Sequence, residues 1–139
     1  MTNTCPADAR IDALATWLRA HQAHYGLNLS TLAPASADAS FRRYFRLESS
    51  GTHGPTLIAV DAPPPEKCRE FAQIAGLLAS ADVHVPRVLE CDFAQGFMLV
   101  TDLGTTPYIE VLDPADPQAA RPLMRDALDA LIRWQSASR

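Results

Sequence analysis

The sequence of 139 residues predicts an α+β fold, in which a mostly antiparallel sheet of about five strands has flanking helices and is followed by a further helical region. Two observations predict it. Apolar or alternating stretches of strand length occur at 41–47, 56–61, 87–92 and 97–101. Longer segments with apolar residues at helical spacing stand before, between and after these stretches. The length suits one compact domain or one lobe of a larger protein.

The first helix is predicted at residues 7–25, where apolar side chains recur at helical spacing and Gly26 follows as a terminator. Residues 27–35 form a first, irregular strand. We place that strand near an edge or a turn, because Pro34 cannot donate to a sheet ladder. Residues 36–40 are mostly small and form the turn that leads into the next strand.

The strand at 41–47 carries three arginines. Its alternation places Arg42, Tyr44 and Arg46 on one face and Phe41, Phe45 and Leu47 on the other. Arg43 lies between the two Phe positions. A loop rich in Ser and Gly at 48–55 then leads to the apolar run at 56–61, which is typical of a central strand buried on both faces.

Three prolines at 63–65 end this strand and precede a second helix, predicted at 66–80. The spacing favours a buried face made of Phe71, Ile74, Leu77 and Leu78. Two further strands follow. After Gly104 the pattern changes to a linker, a short helix at 108–112 and a longer helix at 119–133.

Composition excludes several classes of protein. Twelve Lys and Arg against sixteen Asp and Glu give a net charge of −4, too acidic for a protein whose main partner is a nucleic-acid backbone. Cys5, Cys68 and Cys91 show no paired spacing, so we expect neither a disulfide framework nor a zinc site. The sequence shows no signal peptide and no apolar span of about 20 residues. We therefore expect a cytoplasmic protein with no membrane partner.

Residues 36–47 hold the densest positive charge in this acidic chain. Arginine is suited to bidentate contacts with phosphate, so one interpretation is a loop and strand that face phosphate groups. The alternative is a solvated strand face whose arginines pair with Asp38 and Glu48. The residues alone leave both interpretations open.

Four segments together resemble the small N-terminal lobe of the kinase-like fold, in the branch of aminoglycoside phosphotransferases and choline kinases. They are DASFRRYFRL at 38–47, LIAVDAPP at 57–64, VPRVLECD at 85–92 and MLVTDLG at 98–104. Within that branch the sequence looks most like the bacterial kinases that phosphorylate the cell-wall sugars N-acetylmuramate and N-acetylglucosamine at the anomeric position. The most specific part is DASFRRYFRL with DAPP one strand later.

The resemblance implies a loop that covers the phosphates of ATP. The matching positions are Asp38, Ala39, Ser40 and Phe41. Protein kinases use a Gly-rich loop here, because backbone must approach phosphate closely. This loop contains no glycine, so we expect Ser and Arg to build it instead. The positive charge would come from Arg42, Arg43 and Arg46.

The resemblance also implies a lysine on the third strand, paired with a helix glutamate. The matching position is Val60 or Asp61, so the sequence departs from the fold's usual pattern. We expect a strand arginine to replace the lysine, with Glu70 or Glu66 as its partner. The alternative for both glutamates is a solvent-exposed helix face.

The end of the last strand matches the hinge between kinase lobes, where backbone groups bind the adenine edge. The matching positions are Val100, Thr101, Asp102 and Leu103. The register favours the Thr101 carbonyl and the Leu103 amide as the adenine contacts, with Val100 shaping the pocket. Ile58 is expected either in the pocket wall or in the core. The alternative for the whole segment is a strand followed by a turn.

A division of the chain follows from the resemblance. Residues 1–103 correspond to the N-terminal lobe, and 104–139 to the hinge linker and the first helix of a C-terminal lobe.

The implied activity is ATP-dependent phosphoryl transfer to a sugar hydroxyl with Mg²⁺ as cofactor. The family's HxDxxxxN catalytic loop and later metal-binding Asp are not in the sequence. We therefore expect these 139 residues to bind ATP weakly and to transfer no phosphate.

Two further expectations depend on that division. A lone lobe exposes the apolar surface that normally meets the larger lobe, so we expect self-association. The second functional hypothesis is a non-catalytic α+β interaction or regulatory domain, in which the arginines form a docking patch for an acidic partner. Continuation of the gene past Arg139 into the catalytic motif would distinguish the two hypotheses.

Overall fold

The computed structural model describes residues 8–37, 41–64 and 66–137, and it has an α+β architecture. The elements in chain order are α1 (Ala9–Tyr25), β1 (Leu27–Ala37), β2 (Arg43–Ser49), β3 (Thr56–Asp61), α2 (Cys68–Ser80), β4 (Val88–Asp92), β5 (Phe97–Thr101), α3 (Tyr108–Val111) and α4 (Pro117–Ala137). The five strands form one sheet in the order β1-β2-β3-β5-β4, and every neighbouring pair is antiparallel. The predicted fold class is confirmed.

The sheet is buried on both faces along β3, as the apolar run predicted. Successive strand residues point to opposite faces, so Leu57 and Ala59 meet α1 while Ile58 and Val60 lie on the other side. The first face packs against Leu14 and Leu18 of α1. The second face includes Cys68, Met98 and Val100 in its core. This division of β3 places any site on the second face away from α1.

The ends of α1 follow from two local features. Asp8 caps the helix, because its carboxylate accepts hydrogen bonds from the backbone N–H groups of Arg10 and Ile11 at 3.1 and 3.4 Å. Gly26 ends it with a left-handed φ of 62°. A Cβ at this position would lie 2.2 Å from Ser50 Oγ, so close packing as well as backbone conformation requires glycine. The predicted terminator is confirmed.

The predicted buried face of α2 is wrong in part. Ile74 is 56% exposed and Leu77 is 70% exposed, whereas Cys68 and Ala75 are buried. The helix presents these small side chains inward and keeps Phe71 half-buried against the second core. Since α2 carries apolar residues around much of its circumference, spacing alone did not identify the inward face.

The last two helices, α3 and α4, contain no buried residue. The exposed apolar side chains of α4 are Met124, Leu128, Leu131, Ile132 and Trp134. Arg133 reaches Asp82, with 3.4 Å to its carbonyl oxygen and 4.0 Å to its carboxylate, an exposed pair of little energetic weight. Self-association through the apolar surface that would meet a larger lobe stays a prediction.

A fully buried carboxylate, Asp61 at the end of β3, joins α1 to the sheet. Arg10 of α1 donates to one oxygen from Nε at 2.8 Å and Nη2 at 2.5 Å. Arg43 of β2 donates to the other oxygen at 3.0 and 2.5 Å. Arg43 also pairs with Asp8, and hydrogen bonds to Asp8 and then to Asp61 raise the pKa of Arg43 despite some desolvation. Removal of either cation would leave the buried charge less well compensated.

The buried carboxylate yields a stability prediction. Asp61→Asn keeps the shape but removes the charge and points an amide N–H₂ at one of the two arginines. We expect it to lower the free energy of unfolding by roughly 3 kcal/mol, measured by urea denaturation at pH 7. The control is Asp82→Asn at an exposed position with φ of 56°, which Asn also tolerates. Similar losses in the two variants would contradict the assignment.

Candidate functional site

A cavity of about 800 Å³ lies between the second face of the sheet and the segment that follows β5. Its walls come from four strands (β1, β2, β3 and β5), from Phe71 of α2 and from the segment after β5. They include Tyr44, Arg46, Ile58, Val100, Asp102 and Leu103. The cavity has the size of a small-molecule site, and both apolar and charged groups line it.

Strand register explains why residues far apart in sequence share this cavity. Arg46 lies opposite Ile58 in the β2–β3 pair, and Ile58 lies opposite Val100 in the β3–β5 pair. The three side chains therefore form a row across three strands on one face. Tyr44 lies on the same face, because it is two residues from Arg46. The predicted alternation is confirmed from Arg43 to Leu47, but it is wrong for Phe41 and Arg42, which precede the strand; Phe41 is 75% exposed.

The end of β5 is fixed by the segment before β4. Thr101 N–H donates to the Arg87 carbonyl at 3.0 Å, and Thr101 Oγ accepts from Arg87 N–H at 2.9 Å. Leu103, two residues on, is 53% exposed and lines the cavity. Its backbone N–H makes no hydrogen bond within the described part of the chain. Leu103 therefore brings to the cavity edge a backbone donor that no described residue accepts.

Asp102 lies at the centre of a hydrogen-bonded network. Its side chain is 7% exposed, and it accepts from Arg46 Nε at 2.5 Å and Arg46 Nη2 at 3.0 Å. Thr56 Oγ donates to it at 2.8 Å and Gly104 N–H at 2.9 Å. The hydrogen bonds from Arg46 outweigh desolvation, and with Gly104 and Thr56 they lower the pKa of Asp102 to about 2. Asp102 is therefore ionised at neutral pH.

The other two strand arginines do not line the cavity. Arg43 lies on the α1 face, opposite Asp61 in the β2–β3 register, and is held there by Asp61 and Asp8. Arg42 pairs with Glu66, with 3.1 Å between Nε and Oε2, and its guanidinium lies 5.6 Å from the centre of the Phe71 ring. The structure thus places the three arginines in three different environments.

Glu66 holds Phe41, the last residue of the predicted phosphate loop. One carboxylate oxygen accepts from Phe41 N–H at 3.2 Å, while the other pairs with Arg42. From the sequence, Glu66 was one of two possible partners for the arginine that replaces the lysine. Glu70, the other, is exposed on α2 and does not line the cavity. The predicted loop residues Asp38, Ala39 and Ser40 lie outside the described residues.

The structure distinguishes the two positions proposed for the missing lysine. Val60 belongs to the core of the cavity-side face, whereas Asp61 points to the α1 face. Of the two positions, only Val60 thus lies on the face that carries the cavity. Tyr44 was not singled out as a site residue from the sequence, although its place two residues from Arg46 was sufficient to put it beside the cavity.

The described residues contain neither a cluster of metal-binding side chains nor a membrane-spanning helix. Among residues 8–37, 41–64 and 66–137, no group of three or more His, Cys, Asp and Glu side chains is placed to hold a metal ion. No helix in that part of the chain has the length and apolar content needed to cross a bilayer.

The antiparallel five-stranded sheet, the cleft on one face and the exposed donor beyond β5 define the small N-terminal lobe of a kinase-like protein. The chain belongs to the phosphotransferase enzyme family, whose family model matches residues 31–139. The resemblance inferred from the sequence is confirmed.

Three relatives carry the same name, N-acetylmuramate/N-acetylglucosamine kinase. The one from Pseudomonas aeruginosa is 52% identical over 105 residues, covering 75% of this chain and 29% of the relative. The one from Pseudomonas putida is 41% identical over 136 residues, covering 92% of this chain and 38% of the relative. The one from Neisseria meningitidis is 36% identical over 107 residues, covering 76% and 31%. The chain thus spans about a third of the length of these relatives.

The Asp102 network generates a pH prediction. The folded pKa of about 2 lies below the ordinary value of 3.8, so the ionised carboxylate stabilises the fold fully above pH 4. That stabilisation is lost as the pH falls from 4 to 2. Asp102→Asn should cost about 2 kcal/mol at pH 7, and its difference from wild type should shrink over that interval. Urea denaturation at pH 7, 4, 3 and 2.5 measures this, and a pH-independent difference would refute it.

Proposed function

We propose that this chain is the nucleotide-binding lobe of an ATP-dependent sugar kinase that acts on cell-wall amino sugars of the N-acetylmuramate and N-acetylglucosamine class. The observation that carries the proposal is the cavity bordered by an exposed backbone donor at Leu103. The names of the three relatives support the substrate class. Phosphorylation would occur at the anomeric hydroxyl, in the cytoplasm where ATP is supplied, and would serve recycling of the cell wall.

The base is proposed to bind at the end of β5. Adenine presents an acceptor nitrogen beside an amino group, which complements the Leu103 N–H and the Thr101 carbonyl. Ile58, Val100 and Tyr44 supply apolar and aromatic surface on which the ring can pack. Ile58 is 9% exposed and Val100 4%, so the core behind them holds both side chains in place.

The phosphates are proposed to bind away from the end of β5, beside the predicted loop of Asp38, Ala39, Ser40 and Phe41. Arg42 follows that loop most closely, and its pair with Glu66 has the composition expected for a replacement of the usual lysine and glutamate. The ring of Phe71 supports the guanidinium from below. Arg43 is proposed as a structural residue, because it already compensates Asp61.

The division of the chain is part of the proposal. All five strands and both cores lie before residue 103, whereas α3 and α4 contain no buried residue. We assign 1–103 to the nucleotide lobe and 104–139 to the hinge and first helix of a helical lobe. When bound, Mg²⁺ would neutralise phosphate charge during transfer. Its ligands and the catalytic base would come from outside these 139 residues, so the chain alone should transfer no phosphate.

The interaction-domain hypothesis has less support. A docking patch for an acidic partner needs several arginines on one surface. Here Arg43 and Arg46 lie on opposite faces of the sheet, and each pairs with an aspartate of the same chain. The arginines are thus neutralised locally.

Nucleotide binding is tested by calorimetry and by NMR of the 139-residue chain. We expect ATP to shift the amide signals of Thr101, Leu103 and Gly104. Arg42→Ala should weaken ATP about tenfold, the value of a charge-assisted contact, and leave adenosine nearly unchanged. The matched control is Arg19→Ala, on exposed α1 with a 3.3 Å bond to Thr16. Absence of any ATP binding by the wild-type chain would overturn the proposed function.

Phosphoryl transfer is tested separately. A coupled assay with ATP, Mg²⁺ and N-acetylmuramate should show no turnover above background, because the described residues provide neither a metal ligand set nor a recognised catalytic loop. Sugar-dependent ATP consumption by the purified chain would contradict this expectation.

A further inference from the structure

We propose that Arg46, Asp102 and Thr56 are positioning residues for the nucleotide base rather than ligands for its phosphates. Their hydrogen bonds fix the turn at 102–104 and thereby present the Leu103 amide to the cavity. This inference rests on the proposed nucleotide site and assigns new roles within it.

The Asp102 carboxylate has no capacity left for a ligand. An ionised carboxylate accepts about four hydrogen bonds. Asp102 accepts four: two from Arg46, one from Thr56 and one from Gly104 N–H. With a side chain that is 7% exposed, it is part of the cavity wall and not a group that awaits a partner.

Arg46 is committed to the same turn. Its Nε and Nη2 bind Asp102, and Nη2 also donates to the Gly104 carbonyl at 3.1 Å. Its charge is therefore compensated where it stands. Arg46 is also three residues along β2 from Arg43, the first residue of the strand, which corresponds to about 10 Å at a rise of ~3.3 Å per residue. The proposed phosphate loop precedes that first residue in the sequence.

The turn itself is held at both of its ends. Gly104 gives its N–H to Asp102 and its carbonyl to Arg46, and it adopts a φ of 106° that favours glycine. Leu103 lies between Asp102 and Gly104, so the orientation of its peptide groups follows from theirs. A donor fixed before binding loses less conformational entropy when the base arrives, and affinity rises accordingly.

Thr56 makes the inference testable. It donates to Asp102 at 2.8 Å but does not line the cavity, so it can affect a ligand only through the network. Thr56→Val removes that hydrogen bond and keeps the shape. Arg46→Lys keeps the charge but cannot make the two-pronged contact with Asp102. Thr16→Val, at an exposed helix position with a hydroxyl bond to the Asp12 carbonyl, is the matched control.

The experiment measures the affinities of adenosine, ATP and inorganic triphosphate. Each ligand is tested on the wild-type chain and on the three variants. We expect Thr56→Val to weaken adenosine and ATP equally, by about threefold, and to leave triphosphate unchanged. Arg46→Lys should show the same pattern with a larger factor, about tenfold. Thr16→Val should change none of the three. Hydrogen exchange at the Gly104 amide should accelerate in Thr56→Val and Arg46→Lys only.

Each other outcome overturns the inference. If Arg46→Lys weakens ATP and triphosphate but not adenosine, Arg46 is a phosphate ligand. If all three ligands weaken alike in Thr56→Val, the substitution disturbs the whole site, which circular dichroism and melting temperature would register. Unchanged adenosine affinity in Thr56→Val also refutes the inference. Failure of the wild-type chain to bind any of the three ligands refutes the proposed function instead, and the inference with it.

Discussion

The ion pairs of Asp61 are the interaction on which the arrangement of this lobe depends. This carboxylate is fully buried at the end of the central strand, and it is compensated by an arginine from α1 and an arginine from β2. Arg10 also reaches the Gln95 carbonyl at 2.8 Å, in the turn between β4 and β5. The helix, the central strand and that turn therefore meet at one charged centre. Because an uncompensated buried charge is costly, their relative placement is strongly specified.

In this arrangement one face of the sheet is packed and structural, and the other face carries the cavity. The α1 face is closed by apolar contacts and by the Asp61 ion pairs. The opposite face keeps a cavity open, walled by Tyr44, Ile58 and Val100. Two arginines three residues apart in β2 thus have different roles. Arg43 completes the closed face, and Arg46 borders the open one. Alternation along a strand is sufficient to divide a single basic stretch in this way.

The sequence predicted the fold because its local signals agreed with one another. The apolar run of β3, the alternation of β2 and Gly26 at the end of α1 each specified an element correctly. It predicted the inward side of α2 poorly, since Ile74 and Leu77 are as apolar as the residues that it buries.

The sequence offered Glu66 as a possible partner of a strand arginine, but it did not reveal the partners of Arg43 and Arg46. Arg46 and Asp102 are 56 residues apart, and only the β2–β3–β5 register brings them together. The sequence signal was a cluster of positive charge, which does not reveal that each cation has its own acid.

The order of the strands has a consequence for biosynthesis. Three of the four strand pairings join strands that follow one another in the chain, and the remaining pair, β3 with β5, encloses only α2 and β4. Pairings between near neighbours form quickly, because little loop entropy is lost when they close. The sheet is complete at Thr101. It can thus assemble on the ribosome before residues after the hinge emerge, and a finished lobe would then be ready to receive whatever helical partner is synthesised next.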